Sequence, residues 1–391
     1  MKFRIQTTCI PALRPLSSTL LLALSLGLLA SCAVPMHAAQ PTPARAVVAP
    51  ETPQQAGNCR VSAEVTGDVR LEPGCVYHQQ LRISTNGTQL DCQGAWLDGG
   101  GTLANGIVID SNGQPLTDVT VQNCNIRAFA TGVRVGWAKA DEADEAEGGS
   151  VNAAANAPRK ITLSHLTVVD STRVGISIDR HAHHITVRDS TIEGSGGVGM
   201  YLEYGSSDNR VMHNKFVRNG RVMKREGLAI DSSRNNVVTD NLFQDNEHGG
   251  IFLYKNCGAS VATGRSVSHT QHSDHNLIHR NTFSGEKIGV WIASRQSVDL
   301  KRLDCADAPM DAGGHYYEDF ANANSVTGNQ FCATQVGIRV EGDANILTGN
   351  SYDRRTGPLI SVPVSQRAVL LGRPSTGNLI DAGRLNGEAC S

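Results

Sequence analysis

The chain has 391 residues, enough for one or two domains, and a formal net charge of −2. That balance excludes a global field drawing the protein to nucleic acid or to an anionic membrane, so an anionic substrate must meet local lysines and arginines. Forty glycines, about a tenth of the chain, and 5% aromatics describe many short elements joined by tight turns.

In chain order, the first element is a targeting segment. Lys2, Arg4 and Arg14 precede an apolar core at residues 20–30, of secretory-signal length and short for a membrane span. Leu29-Ala30-Ser31-Cys32 follows and resembles a bacterial lipobox, which implies a lipidated Cys32 holding a periplasmic, outer-membrane or cell-surface lipoprotein to the membrane; ordinary cleavage near Ala33 or Ala39 is the other reading. Residues 1–32 are thus read as signal peptide, 33–57 as a flexible Ala- and Pro-rich linker, and 58–391 as the folded domain. Eight cysteines fall in that domain, an even number that suits disulfides in an exported protein, and none has zinc-ligand spacing.

Within the domain one phrase recurs: Asn, any, apolar, two of any kind, Asn, any, aromatic. It reads Asn209/Val211/Asn214/Phe216 and Asn236/Val238/Asn241/Phe243, then returns from Asn276, Asn324 and Asn345. A second phrase, Gly-apolar-any-apolar, follows each time: GISI at 175–178, GMYL at 199–202, GLAI at 227–230, GIFL at 250–253, GVWI at 289–292 and GIRV at 337–340. Such units are too small to bury an apolar face alone and must stack. The expected fold is all-β, a single-stranded right-handed parallel β-helix with loop insertions, with Asn214, Asn241, Asn281, Asn329 and Asn350 forming an internal amide ladder. Residues 137–158, rich in Asp, Glu and small residues, read as a solvated excursion. Residues 257–274 and 297–323 interrupt consecutive coils; each carries a cysteine, so Cys257 and Cys305 are expected to pair. Cys332 and Cys390 would pin the tail, and four further cysteines would brace the first coils in an unassigned pattern.

These repeats resemble the pectate-lyase-like parallel β-helix superfamily over about residues 59–385. The resemblance implies action on polysaccharides by lyases, C5-epimerases or glycoside hydrolases, and the fold alone does not choose among them.

Alignment of the second phrase on its glycine puts positions +1 and +3 inside and +2 and +4 outside. Asp179, Glu203 and Asp231 then share one outer column on three successive coils, about 4.8 Å apart. Either one is protonated, or a cation sits among them: Ca²⁺, with Asp179, Glu203 and Asp231 as oxygen ligands, or a basic side chain such as Arg180 or Lys255. Tyr201, Phe252, Tyr254 and Trp291 are expected as exposed rings that bind sugar faces, with Glu203 and Arg180 beside them. Lys255 and Arg295 fall at the ends of adjacent coils. This layout resembles β-helix lyases of alginate- and chondroitin-type polymers, in which a lysine and an arginine on neighbouring coils carry the elimination. Asp179-Arg180-His181 is similar to the Asp-Pro-His motif of mannuronan C5-epimerases, with arginine in place of proline.

The expected chemistry is removal of the C5 proton of an anionic, uronate-containing polysaccharide, by a lyase or an epimerase. Lys255 is the base, Arg295 the neutralising cation, Asp231 their neighbour and His181 or Tyr201 a second acid. Two alternatives stand beside it: a glycoside hydrolase using paired carboxylates of the column, and a non-catalytic carbohydrate-binding lipoprotein.

Overall fold

A computed structural model describes residues 59–137, 149–258 and 270–386. The segments read from the sequence as signal peptide and linker, with Cys32, and Cys390 at the other end lie outside the described residues. Among those described, three parallel sheets of 11 strands each run the length of the molecule, with a two-stranded pair, Leu116–Thr117 and Pro158–Arg159, at one side. Every coil contributes one strand to each sheet, which is the expected parallel β-helix. The sheet that concerns function includes β1 (Thr131–Gly136), β2 (Val174–Ile178), β3 (Met200–Glu203), β4 (Glu226–Asp231), β5 (Gly249–Tyr254), β6 (Ile288–Ile292) and β7 (Val336–Val340), each bonded to the next.

Corners of the coil explain the repeat. The residue before each ladder asparagine takes a left-handed conformation: His213 (φ 56°), Asp240 (φ 56°) and Arg280 (φ 51°) precede Asn214, Asn241 and Asn281. Glycines do so before Asn329 and Asn350. The chain turns there, and the following asparagine points inward with an amide that needs partners. Nδ2 of Asn214 donates to Oδ1 of Asn241 at 3.0 Å, Asn241 to Asn281 at 2.9 Å, and Asn281 to Asn329 and Asn329 to Asn350 at 3.1 Å each. Each side chain also caps a backbone N–H of the preceding coil, as Asn241 Oδ1 does for Asn214. A second ladder runs through Asn209, Asn236, Asn276 and Asn324, and a third passes from Asn219 through Asn246 to Glu286.

Between the ladders lies the core. Phe216, Phe243, Phe283 and Phe331 stack face to face with centroids 4.8–5.1 Å apart. Glycines that open the second phrase are a steric requirement: a Cβ on Gly250 would stand 2.6 Å from the carbonyl oxygen of Gly289 on the next coil.

Two departures from the sequence reading appear. The excursion at 137–158 is not all loop, because α1 (Gly149–Asn156) forms and its Ala153 packs on Trp137; residues 138–148 lie outside the described set. A short α2 (Gln366–Leu371), capped by Ser365, occupies the C-terminal region. The N-terminal disulfides are Cys59–Cys75 and Cys92–Cys124. The expected Cys257–Cys305 bridge is present, while the pairing proposed for Cys332 involves Cys390, outside the described residues.

Glu286 ends the third ladder in a fully buried position, where burial pushes its carboxyl up to about 8 although Asn246 donates to it. The folded state therefore keeps a proton that the unfolded chain releases near the ordinary value of 4.5. Its contribution to stability must fall as the pH rises from 4.5 to about 8. Glu286→Gln keeps the acceptor and removes the titration. Denaturant unfolding should show the variant gaining on the parent across that window and the difference levelling off above it. A constant difference from pH 4 to 9 would overturn this assignment.

Candidate functional site

On the outer face of the long sheet the register places the acidic column as expected. Glu203 on β3 is the direct partner of Asp231 on β4, and Asp179 follows Ile178, the partner of Leu202. Three carboxylates one coil apart cannot all ionise cheaply, and each is handled differently. Asp179, 7% exposed, receives Arg134 Nε from the preceding coil at 3.1 Å. Asp179 in turn raises the Arg134 guanidinium above its ordinary value. Asp231, 0% exposed, accepts three donors: Tyr201 Oη at 2.8 Å and Asn256 Nδ2 at 3.1 Å on Oδ2, and Ser232 Oγ at 3.1 Å on Oδ1. Glu203, half-buried, stands between them. Desolvation, then Asp179 and Asp231, push its carboxyl up to about 8, against the pull of Arg180 and Arg134. The column therefore keeps a proton on its middle member near neutral pH.

Tyr201 belongs to a hydrogen-bonded chain. Arg225 Nη2 donates to Tyr254 Oη at 2.8 Å, Tyr254 Oη to Tyr201 Oη at 3.1 Å, and Tyr201 Oη to Asp231. Arg225 is itself held by both oxygens of Glu226. Burial, with Asp231 next, raises the Tyr201 phenol well above 10. The arrangement orients a hydroxyl beside a carboxyl that titrates near neutrality, a pairing suited to acid–base work.

The expected aromatic platform is not there. Phe252, Tyr254 and Trp291 are 3%, 2% and 9% exposed and form a second small core with Ala229 and Val198 on the outside of the sheet. Trp291 donates its indole N–H to the buried Glu341 at 3.0 Å, and Arg339 lies over its ring. Only Tyr201 of the four rings is half-buried. Alternation places these residues outside correctly, but they pack on one another and on His248, Arg225, Arg295 and Arg339.

The structure also reassigns Lys255. Its ammonium pairs with Asp307 of the 297–323 loop and the residue is 7% exposed, so the cation is engaged by that loop. Arg295 is on the adjacent coil as expected and stacks 4.1 Å over the Tyr254 ring. Burial alone would lower its guanidinium, and Asp231 and Tyr254 more than offset that. The two segments are clamped together by Asp319, whose oxygens accept the backbone N–H groups of Lys255 at 2.6 Å and Arg295 at 2.8 Å. Burial pushes the Asp319 carboxyl up to about 7. Cys257, Leu300 and Tyr317 pack under the Cys257–Cys305 bridge and complete the clamp. Asp307 and Asp319 were not identified from the sequence; both lie in a loop with no repeat to place them.

His181 sits at the turn after β2, its ring 5.8 Å from that of Tyr204 and packed over Gly205 of the next coil. The Arg180 guanidinium lies 5.8 Å over the same tyrosine. Among the described residues no group of three or more His, Cys, Asp or Glu is arranged to hold a metal; Arg134 and Arg180 are the cations that act on the Asp179–Glu203–Asp231 column.

Two family models match parts of the chain: the right-handed β-helix region over residues 104–267, and the periplasmic copper-binding protein family NosD over residues 220–361. The described residues supply no donor cluster that fits copper. No curated protein matches. Among solved structures the chain is similar to the tailspike protein of E. coli bacteriophage HK620. A double mutant of it gives 12% identity and a TM-score of 0.49, covering 83% of this chain and 54% of that one. The tailspike in complex with a pentasaccharide gives 12% identity and 0.44, covering 82% and 54%. The chain thus spans little more than half the length of these structures.

If Lys255 is part of the clamp, Lys255→Met should lower stability by about 2 kcal/mol, the scale of a hydrogen bond to a charged group. It should also speed proteolysis within 297–323. Unchanged unfolding and unchanged cleavage would show that the ion pair holds nothing.

Proposed function

Starting from a chain that is a right-handed parallel β-helix protein, we propose that it acts on an acidic polysaccharide and removes the proton at C5 of a uronate residue, with Glu203 as the base. One observation carries this reading. Of the three stacked carboxyls, Glu203 alone is half-buried rather than buried, and its carboxyl is pushed up to about 8, into the range a general base needs. Arg134 and Arg180 act on it electrostatically from the two preceding turns. They are the cations a uronate carboxylate would meet as charge builds on it during loss of the C5 proton.

The geometry favours this over hydrolysis. A glycosidase needs two carboxyl groups that reach the sugar or a water. Asp231 is closed off beneath Tyr201, Asn256 and Ser232, and Asp179 is buried against Arg134. It also favours Glu203 over Lys255, whose ammonium is buried against Asp307 in the 297–323 loop. Three disulfides place the chain in an oxidising compartment, where extracellular polysaccharide is met.

The sign of the pH dependence separates the two chemistries. A base must be ionised, so kcat/KM on a uronate polymer should rise with pH to a plateau above about 8. Glu203→Gln should lower it by 100-fold or more, about 2.7 kcal/mol, while Lys255→Met stays within threefold. A rate that falls as the pH passes about 8 would identify Glu203 as the acid of a hydrolase instead. Equal activity of Glu203→Gln and the parent would overturn the reading.

A further inference from the structure

The two ends of the solenoid are finished differently. At the first coil Val65, Leu71 and Tyr77 are 1%, 2% and 3% exposed, packed with Val61 and the Cys59–Cys75 bridge. Of the twelve large hydrophobic side chains exposed among the described residues, none lies there and eight fall between Val362 and Leu385. The last coil is made of β8 (Ile360–Ser361), β9 (Leu379–Ile380) and β10 (Arg384–Leu385), each the terminal strand of its sheet. Its register continues the core. Ile380 is the partner of Leu347, and Leu385 the partner of Tyr352, so both stand on inward columns. Leu347 is fully buried, whereas Ile380 is 41% and Leu385 49% exposed. The α2 helix does not close this end, because Arg367 bonds to Glu318 and Asp343 and ties it back to earlier coils. A core left open and three strand edges are what a solenoid must cap. A lipid surface would cover the side chains but leave the edge N–H and C=O groups without partners. Another strand-bearing end supplies both.

We propose that the C-terminal end is a dimer interface, on which a second copy of this chain docks end to end about a two-fold axis. This inference is independent of the C5-proton reading. Two solenoids of the same hand that meet through the same end run their strands in opposite directions at the joint, so the edges pair antiparallel. Opposite residues of such a pair point to the same side, and inward must meet inward. That condition sets Ile380 of one copy opposite Leu385 of the other, with the axis passing between Ala382 and Gly383. The same register sets Asp381 opposite Arg384. Both are exposed and they carry opposite charges, so the edge is self-complementary, as an isologous contact requires. The N-terminal end is no substitute. Its exposed side chains include Arg60, Glu64, Asp68 and Glu72, and a head-to-tail contact would set Ile380 and Leu385 against these charges.

The test is the mass of the full chain in solution, measured by sedimentation across a wide range of concentration. A reversible dimer that grows no further is expected. Ala382→Cys should link two chains by a disulfide, since the axis passes beside it, while Ala63→Cys on the first coil should not. Arg384→Asp opposes two like charges and should weaken the dimer by roughly tenfold or more with the melting temperature unchanged. Adding Asp381→Arg should restore it to within about threefold, which a merely structural defect would not allow. A monomer at every concentration, free or bound to phospholipid vesicles, would overturn the proposal, and so would assemblies larger than two. A dimer that Ala382→Cys does not link, or that the charge exchange does not restore, would overturn it as well.

Discussion

Everything in this molecule rests on the contact between an asparagine amide on one coil and the corner of the next. A β-helix buries its turns, and a buried amide without partners costs about 1–3 kcal/mol. Asn241 is satisfied only when Asn214 lies on one side and Asn281 on the other. A slip of one residue would break the ladder and reverse the facing of every side chain in the strand. The ladders therefore do more than stabilise. They lock the register so firmly that the outer residues of successive coils must stand in columns, whatever the columns contain.

That constraint creates the electrostatic problem at the candidate site. Asp179, Glu203 and Asp231 are neighbours because the corners beneath them are locked, and repulsion alone cannot separate them. The protein satisfies the outer two with hydrogen-bond donors, Arg134 on one and Tyr201, Asn256 and Ser232 on the other. The middle carboxyl is left to hold a proton. The raised proton affinity of Glu203 follows from burial and from its position between Asp179 and Asp231.

The repeats were legible because they are local and periodic: the asparagine phrase shows its ladder, and the glycine of GIFL shows where coils approach. The column could be aligned from the same glycine, and even the choice between a proton and a cation could be framed. What was not legible depends on chain that is distant in sequence and carries no period. Asp319 joins Lys255 to Arg295 from the far end of the 297–323 loop, and Asp307 removes Lys255 from the face it was assigned to. Phe252 and Trp291 point outward as alternation requires, yet they are buried, because they pack on each other, on Tyr254 and on His248. The partner of a buried lysine and the cover over an exposed ring are both tertiary facts. A strand pattern cannot supply them.

The outer face beyond β4 is occupied by these packed side chains. Towards β5 and β6 the outer face is closed by the clamp around Asp319 and the Cys257–Cys305 bridge. Asn256, which opens that closed region, reaches back to Asp231 and seals it. Asp231 is thus the boundary between structure and chemistry. It faces the clamp through Asn256 and the working residues through Tyr201, and its charge helps keep the proton on Glu203. A carboxylate with no exposed surface has no direct part in a reaction on sugar. Its role is to fix the direction of one hydroxyl and the acidity of one neighbour, and both depend on its staying buried.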